Sequence, residues 1–200
     1  MIGILFLAGG LVAQEGKRTW NFDSDGPGAI ARGFKGETGD WKVIADQTAP
    51  SQPNALAQSA KNSGSTFNLT LVDGTAYKDL ELSVKMKALA GKEDQGGGLV
   101  WRAKDAKNYY VVRYNPLEDN YRFYKVEKGK RIELQSADIK LGQGWHTLTV
   151  SMKGDRIECL LDGKKLIEAK DSTFGEAGKI GLWTKADAQS HFDVLTVSGK

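Results

Sequence analysis

Three runs between residues 97 and 127 concentrate aromatic rings and arginines: Gly97-Gly98-Leu99-Val100-Trp101-Arg102, Asn108-Tyr109-Tyr110-Val111-Val112-Arg113-Tyr114-Asn115, and Asn120-Tyr121-Arg122-Phe123-Tyr124-Lys125-Val126-Glu127. Rings beside forked donors are the chemistry that grips sugars, because a ring covers the apolar C–H face while a guanidinium bonds the hydroxyls. Side chains of a half-buried strand alternate between faces, so Leu99 and Trp101 point one way and Val100 and Arg102 the other. By the same rule Tyr110, Val112 and Tyr114 share a face, and Tyr109, Val111, Arg113 and Asn115 share the opposite one. This pattern predicts Arg102 and Arg113 side by side. The plainer reading of the same residues is a sandwich core whose Tyr and Arg tips reach water.

Residues 179–187 add to that face. Gly181, Trp183, Lys185 and Asp187 fall on one side, Ile180, Leu182 and Thr184 on the other. With Ile180 in the core, Trp183 becomes an aromatic platform within reach of two guanidiniums and a carboxylate, a convergent site. The expected substrate-binding set is Trp183 and Tyr109 for stacking, and Arg102, Arg113, Asn115 and Lys185 for hydroxyl or acidic groups. Asn54, Gln95, Asn120 and Asp187 supply further polar contacts from loops and strand ends. An internal salt-bridge network of Arg102, Arg113 and Asp187 is the competing explanation.

Other chemistries find less support. A retaining glycosidase needs two carboxylates about 5–5.5 Å apart on one face. Here Glu81 stands alone in its strand, Glu158 and Asp162 flank apolar residues and a turn, and the adjacent Glu118 and Asp119 point apart. His146 and His191, the two histidines, lie in separate strands without zinc-ligand spacing. Cys159, the single cysteine, shares a strand face with Ile157 and Leu161 and reads as a buried structural thiol.

The elements that must position these residues are strands. The chain has 200 residues, 28 Lys and Arg against 25 Asp and Glu, and interspersed signs of charge, which excludes the clustered basic stripe of a nucleic-acid binder. Period-two runs predict strands at 41–47, 55–59, 66–72, 80–88, 97–103, 108–115, 121–127, 131–135, 145–153, 156–162, 165–169, 179–185 and 191–197. Turns fall at Asp73-Gly74, Lys128-Gly129, Gly154-Asp155 and Asp162-Gly163, and 48–54, with two prolines, is a loop. Many short strands without a helix imply an all-β sandwich of two antiparallel sheets in one domain, residues 14–200. Residues 1–13 are an apolar run ending in small residues, read as a truncated signal peptide that lacks its basic start; an ordinary N-terminal strand is the alternative. The run is too short to span a bilayer, which takes about 20 apolar residues. The expected location is secreted or periplasmic.

The C-terminal half carries a more specific pattern. Trp145-His146-Thr147-Leu148-Thr149-Val150, Lys153-Gly154-Asp155-Arg156-Ile157 and Leu161-Asp162-Gly163-Lys164-Lys165-Leu166 form a strand–turn–strand–turn–strand meander, later joined by Gly178-Lys179-Ile180-Gly181-Leu182-Trp183 and Phe192-Asp193-Val194-Leu195-Thr196-Val197. This resembles the jelly roll of the concanavalin A-like lectin/glucanase superfamily. Together with the 97–102 and 108–113 runs, Asp94-Gln95 and Glu118-Asp119-Asn120, residues 20–198 resemble domain of unknown function 1080, the 3-keto-disaccharide hydrolase-like domains. A shared fold does not determine activity. The expectation from the residues is an exported module binding carbohydrate on the concave sheet. The resemblance implies as an alternative the cleavage of 3-keto-glycosides, with Asp187 or Glu118 as general base; a cell-envelope protein-interaction domain is a third reading. No cofactor is required. Lectin-like sandwiches do suggest a structural calcium at Asp23, Asp25 and Asp193, against which stands a plain Asx turn at Asp23–Gly26.

Overall fold

The computed structural model describes residues 16–200; the apolar run at 1–13 lies outside them. The described residues form fifteen strands: β1 (Arg18–Trp20), β2 (Phe34–Thr38), β3 (Trp41–Ala45), β4 (Asn54–Gln58), β5 (Phe67–Val72), β6 (Leu80–Ala90), β7 (Gly97–Asp105), β8 (Asn108–Asn115), β9 (Asn120–Glu127), β10 (Lys130–Asp138), β11 (Trp145–Lys153), β12 (Arg156–Leu161), β13 (Lys164–Lys170), β14 (Lys179–Lys185) and β15 (Gln189–Gly199). Thirteen answer to the expected runs. β1 and β2 were not expected: β1 is three residues long, and β2 reads Phe-Lys-Gly-Glu-Thr, with one apolar side chain and no alternation to detect.

The strands build two antiparallel sheets packed as a sandwich. The first runs β13-β12-β11-β6-β15-β4-β3, with β1 on β15; the second runs β10-β9-β8-β7-β14-β5-β2. Leu80, Leu82, Val84 and Met86 of β6 are buried, as the period-two pattern requires. They meet Leu99, Trp101, Tyr110, Val112, Phe123, Ile180 and Leu182 from the second sheet in one core. Trp101 sits 5.6 Å from the ring of Tyr110 and 5.5 Å from that of Phe123, contacts that add about 0.5–1.5 kcal/mol per pair beyond area burial. Cys159 is buried in this core, and burial pushes its thiol pKa upward, so it is an inert packing group.

The second sheet has a further apolar layer on its other face. Leu69, Leu71, Val100, Tyr109, Val111, Tyr124, Val126 and Trp183 form a separate cluster with Phe67 against it. Every one of these belongs to the second sheet. Alternation therefore sorts the rings correctly, Tyr110 inward and Tyr109 outward, and both faces are buried.

Candidate functional site

Register places the outward residues in rows across the strands. One row reads Leu69, Trp183, Gly98, Arg113, Arg122 and Ser136, each the Cα partner of the next. The neighbouring row reads Leu71, Gly181, Val100, Val111, Tyr124 and Glu133. Gly98 leaves a notch between Trp183 and Arg113. Its glycine is obligatory, because an added Cβ would lie 1.7 Å from the Val112 carbonyl oxygen.

The face closes into a cup. Arg131 hangs from the edge strand β10, and its guanidinium carbon is 4.5 Å from the ring centre of Tyr124 on β9, 6.0 Å from Trp183 on β14 and 5.7 Å from Phe67 on β5. On a flat sheet β10 and β5 would stand about 24 Å apart, five spacings of about 4.8 Å. Curvature and long side chains together close that gap, so the rings converge on one cation. Trp183 lies 5.5 Å from Phe67, and its indole Nε1 donates to the Tyr109 hydroxyl at 3.2 Å. Burial raises the Tyr109 pKa, keeping that hydroxyl neutral. Trp183 is consequently not the open platform expected from sequence: it is fully buried, because Arg131, Phe67 and Tyr109 pack around it.

Arg113 forms the polar wall. Nη1 donates to Asn120 Oδ1 at 2.8 Å, and Nη2 donates to Glu118 Oε2 at 2.8 Å and to the Tyr124 hydroxyl at 3.4 Å. Its side chain is 1% exposed. Burial would raise the Glu118 pKa, but hydrogen bonds from Arg113 and Asn120 and the charges of Arg113 and Arg122 outweigh it and bring the carboxyl down to about 2. Beside this wall Lys185 Nζ pairs with buried Asp94 at 3.1 Å, and Asn115 Nδ2 donates to the same carboxylate at 2.9 Å. Arg113, Asn115, Asn120, Tyr109, Trp183, Lys185 and Glu118 are thus one connected region. Phe67, Tyr124 and Arg131 belong to it and were not singled out from sequence. Tyr124 and Phe67 alternate with inward residues, a signal that was present; Arg131 lies in a mostly polar strand with no such signal.

The structure corrects four expectations. Arg102 does not stand beside Arg113, whose cross-strand partner on β7 is Gly98. The register shifts between Trp101 and Asp105, and Arg102 takes φ 45°, which re-aims its side chain as bulges do. Its guanidinium donates to the carbonyls of Lys78 (2.7 Å), Phe174 (2.8 Å) and Gly154 (2.7 Å) and is 1% exposed, so Arg102 ties three loops together. Asp187 is not a free base: it accepts the backbone N–H groups of Lys92, Glu93 and Asp94. These outweigh its desolvation and hold its pKa below the ordinary value. Asn54 lies on the first sheet, donating through Nδ2 to the carbonyls of Phe22, Asp23 and Asp25. Gln95 donates to the Gly91 carbonyl and lines a different cavity of about 550 Å³, with Tyr114, Leu117, Lys140 and His146.

The three aspartates proposed for calcium do not converge as a set. Asp25 turns to Arg32, 2.6 Å away. Asp193 is fully buried, which raises its pKa, and it accepts from the Ser51 N–H and hydroxyl and the Val194 N–H; the nearby Asp23 charge raises it further. The three carbonyls between them are hydrogen-bonded to the Asn54 amide. Among the described residues no three Asp, Glu, His or Cys side chains gather as metal ligands.

A sandwich of two antiparallel sheets is the architecture of the concanavalin A-like group. Within it, residues 20–198 match the model of the 3-keto-alpha-glucoside-1,2-lyase-like domain, and the chain belongs to that family. It is 30% identical over 142 residues to a levanase of Bacillus subtilis strain 168, a match covering 68% of this chain and 20% of the levanase. The fold is shared with the carbohydrate-binding module CBM66 from Bacillus subtilis (TM-score 0.71, 22% identity, 84% of this chain and 96% of that one). It is also shared with the Crh5 transglycosylase (TM-score 0.63, 12% identity, 92% and 84%). Among the described residues no helix is long and apolar enough to cross a membrane.

Proposed function

We propose that this chain is a carbohydrate-binding domain that takes a saccharide into the cup of the second sheet. The observation that carries the reading is the convergence of Phe67, Tyr124 and Trp183 on Arg131, beside the Arg113–Glu118–Asn120 wall, on the face turned away from the core. Entry is at the rim, where Lys185, Arg122 and Arg131 are half-buried and Glu118 is exposed. The similarity to a levanase and to a carbohydrate-binding module supports the reading. No cofactor enters it.

The test is glycan-array screening of the full chain followed by calorimetry on the hits. Trp183→Ala, which removes the ring supporting Arg131 and Phe67, is expected to weaken binding by about 1–3 kcal/mol, as truncation at the centre of a binding surface does. Undiminished binding by a folded Trp183→Ala protein would move the site elsewhere.

The family's description favours a second reading, cleavage of 3-keto-glycosides. A general base works best with its pKa near the operating pH, and Glu118 at about 2 and the depressed Asp187 are both far below it. Release of 3-keto-glucose from an oxidised disaccharide would establish this activity. Retention of a protein partner in a pull-down while every glycan fails would instead favour an envelope interaction domain.

A further inference from the structure

Two buried side-chain polar atoms of the described residues have no hydrogen-bond partner: Arg113 Nε and Arg131 Nη1. Both belong to the cup. Their guanidinium carbons lie 5.9 Å and 4.5 Å from the centre of the same Tyr124 ring. Buried donors without acceptors are rare in folded proteins and point to a missing water, ion or ligand. The register puts them on either side of the Tyr124 row, so each needs an acceptor of its own.

The charges around the cup indicate what kind of acceptor. Arg113 pairs with Glu118, Arg122 with Glu118 and Glu133, and Lys185 with Asp94. Arg131 has no carboxylate partner among the described residues; its neighbours are aromatic rings. Four cations thus face three carboxylates, and the surplus charge sits on the residue with the unused donor. A neutral hydroxyl could accept one of these N–H groups, but it would leave that charge uncompensated in an apolar cup. A carboxylate accepts from the unused Arg131 N–H and neutralises the surplus, and charge-assisted bonds of this kind are roughly twice as strong as neutral ones.

We propose, resting on the saccharide reading above, that the preferred ligand is an acidic saccharide whose carboxylate is received by Arg131 Nη1 beside the Arg113 wall. Arg131 is then the residue that selects charge, and Arg113 is the fixed wall that positions it.

The experiment titrates the full chain with glucuronate- and galacturonate-containing trisaccharides and with their methyl esters, which keep the shape and lose the charge. Neutral fructan and glucan trisaccharides complete the panel. At least one acid is expected to bind ten-fold or more tighter than its ester, with a preference that shrinks as salt rises. Arg131→Gln should abolish the difference between acid and ester, whatever it does to ester binding itself; Arg131→Lys, which keeps the charge and loses the fork, should fall between. Thermal melts of both variants establish that they are folded. An ester or neutral trisaccharide binding as tightly as every acid overturns the charge proposal and leaves the saccharide reading standing. Absence of binding by every saccharide overturns both.

Discussion

The indole N–H of Trp183 donates to the hydroxyl of Tyr109 across the intervening strand β7, joining β14 to β8 on the outer face of the second sheet. Trp183→Phe keeps a ring against Phe67 and removes this donor. The variant should lose about 1 kcal/mol from the hydrogen bond, the usual net worth of one, with a further loss from the smaller ring. Urea unfolding measures the change, and a midpoint equal to the parent's would show that the bond contributes nothing.

Arg102 is expected to matter for folding and not for the ligand. Arg102→Met removes the charged donor to the carbonyls of Lys78, Phe174 and Gly154, and a hydrogen bond to a charged group contributes about 1.5–3 kcal/mol. The melting temperature should fall steeply, while any saccharide affinity measured below the transition stays at the parent value. A stable variant with lost affinity would return Arg102 to the site.

Gly98→Ala probes the notch between Trp183 and Arg113. A methyl group 1.7 Å from the Val112 oxygen forces β7 and β8 apart, a change costing more than the ~1–3 kcal/mol of ordinary overpacking. Low soluble yield, or a melting point far below that of the parent, is the expected result. A parent-like melt would mean that the two strands yield easily.

Glu118 sets an acid limit. Its pKa is about 2 in the folded chain against an ordinary 4.5, so its contribution to stability is fully present above 4.5 and is lost as pH falls from there through about 2. Glu118→Gln should be less stable than the parent at neutral pH and should flatten the stability profile within that window. Parallel profiles for the two proteins would remove the Arg113–Glu118 pair from the account.

Excess chelator is expected to leave the melting temperature unchanged, because the Asn54 amide already bonds the carbonyls that a calcium ion between Asp23 and Asp193 would use. A drop on adding EDTA, reversed by calcium, would show that a cation displaces that amide.

Where apolar residues recur at period two, the strand and its inward face were legible: β6 alternates from Leu80 to Met86, and β8 and β14 send successive residues to the two apolar clusters. The site was legible in part. Tyr109, Arg113, Asn115 and Trp183 share a face because alternation alone decides it. The position of Arg102 was not readable, since a bulge and a positive φ break the count after Trp101. Nor was Arg131, whose importance comes from curvature bringing an edge strand toward β5, a property of the whole sheet. The amides of Asn54 and Gln95 were misassigned because sequence shows that a side chain can hydrogen-bond without showing which carbonyl it will meet.

Arg131 hangs from β10, a strand hydrogen-bonded on one side only. A substitution there need not be accommodated by a second neighbour, and it lies remote from the Trp101–Tyr110–Phe123 stack. Ligand preference and foldability are therefore separately heritable in this architecture: a library varied at positions 131, 133 and 136 should yield domains with altered taste for charge and near-parental melting, and one varied at 99, 101 and 110 should yield mostly insoluble protein.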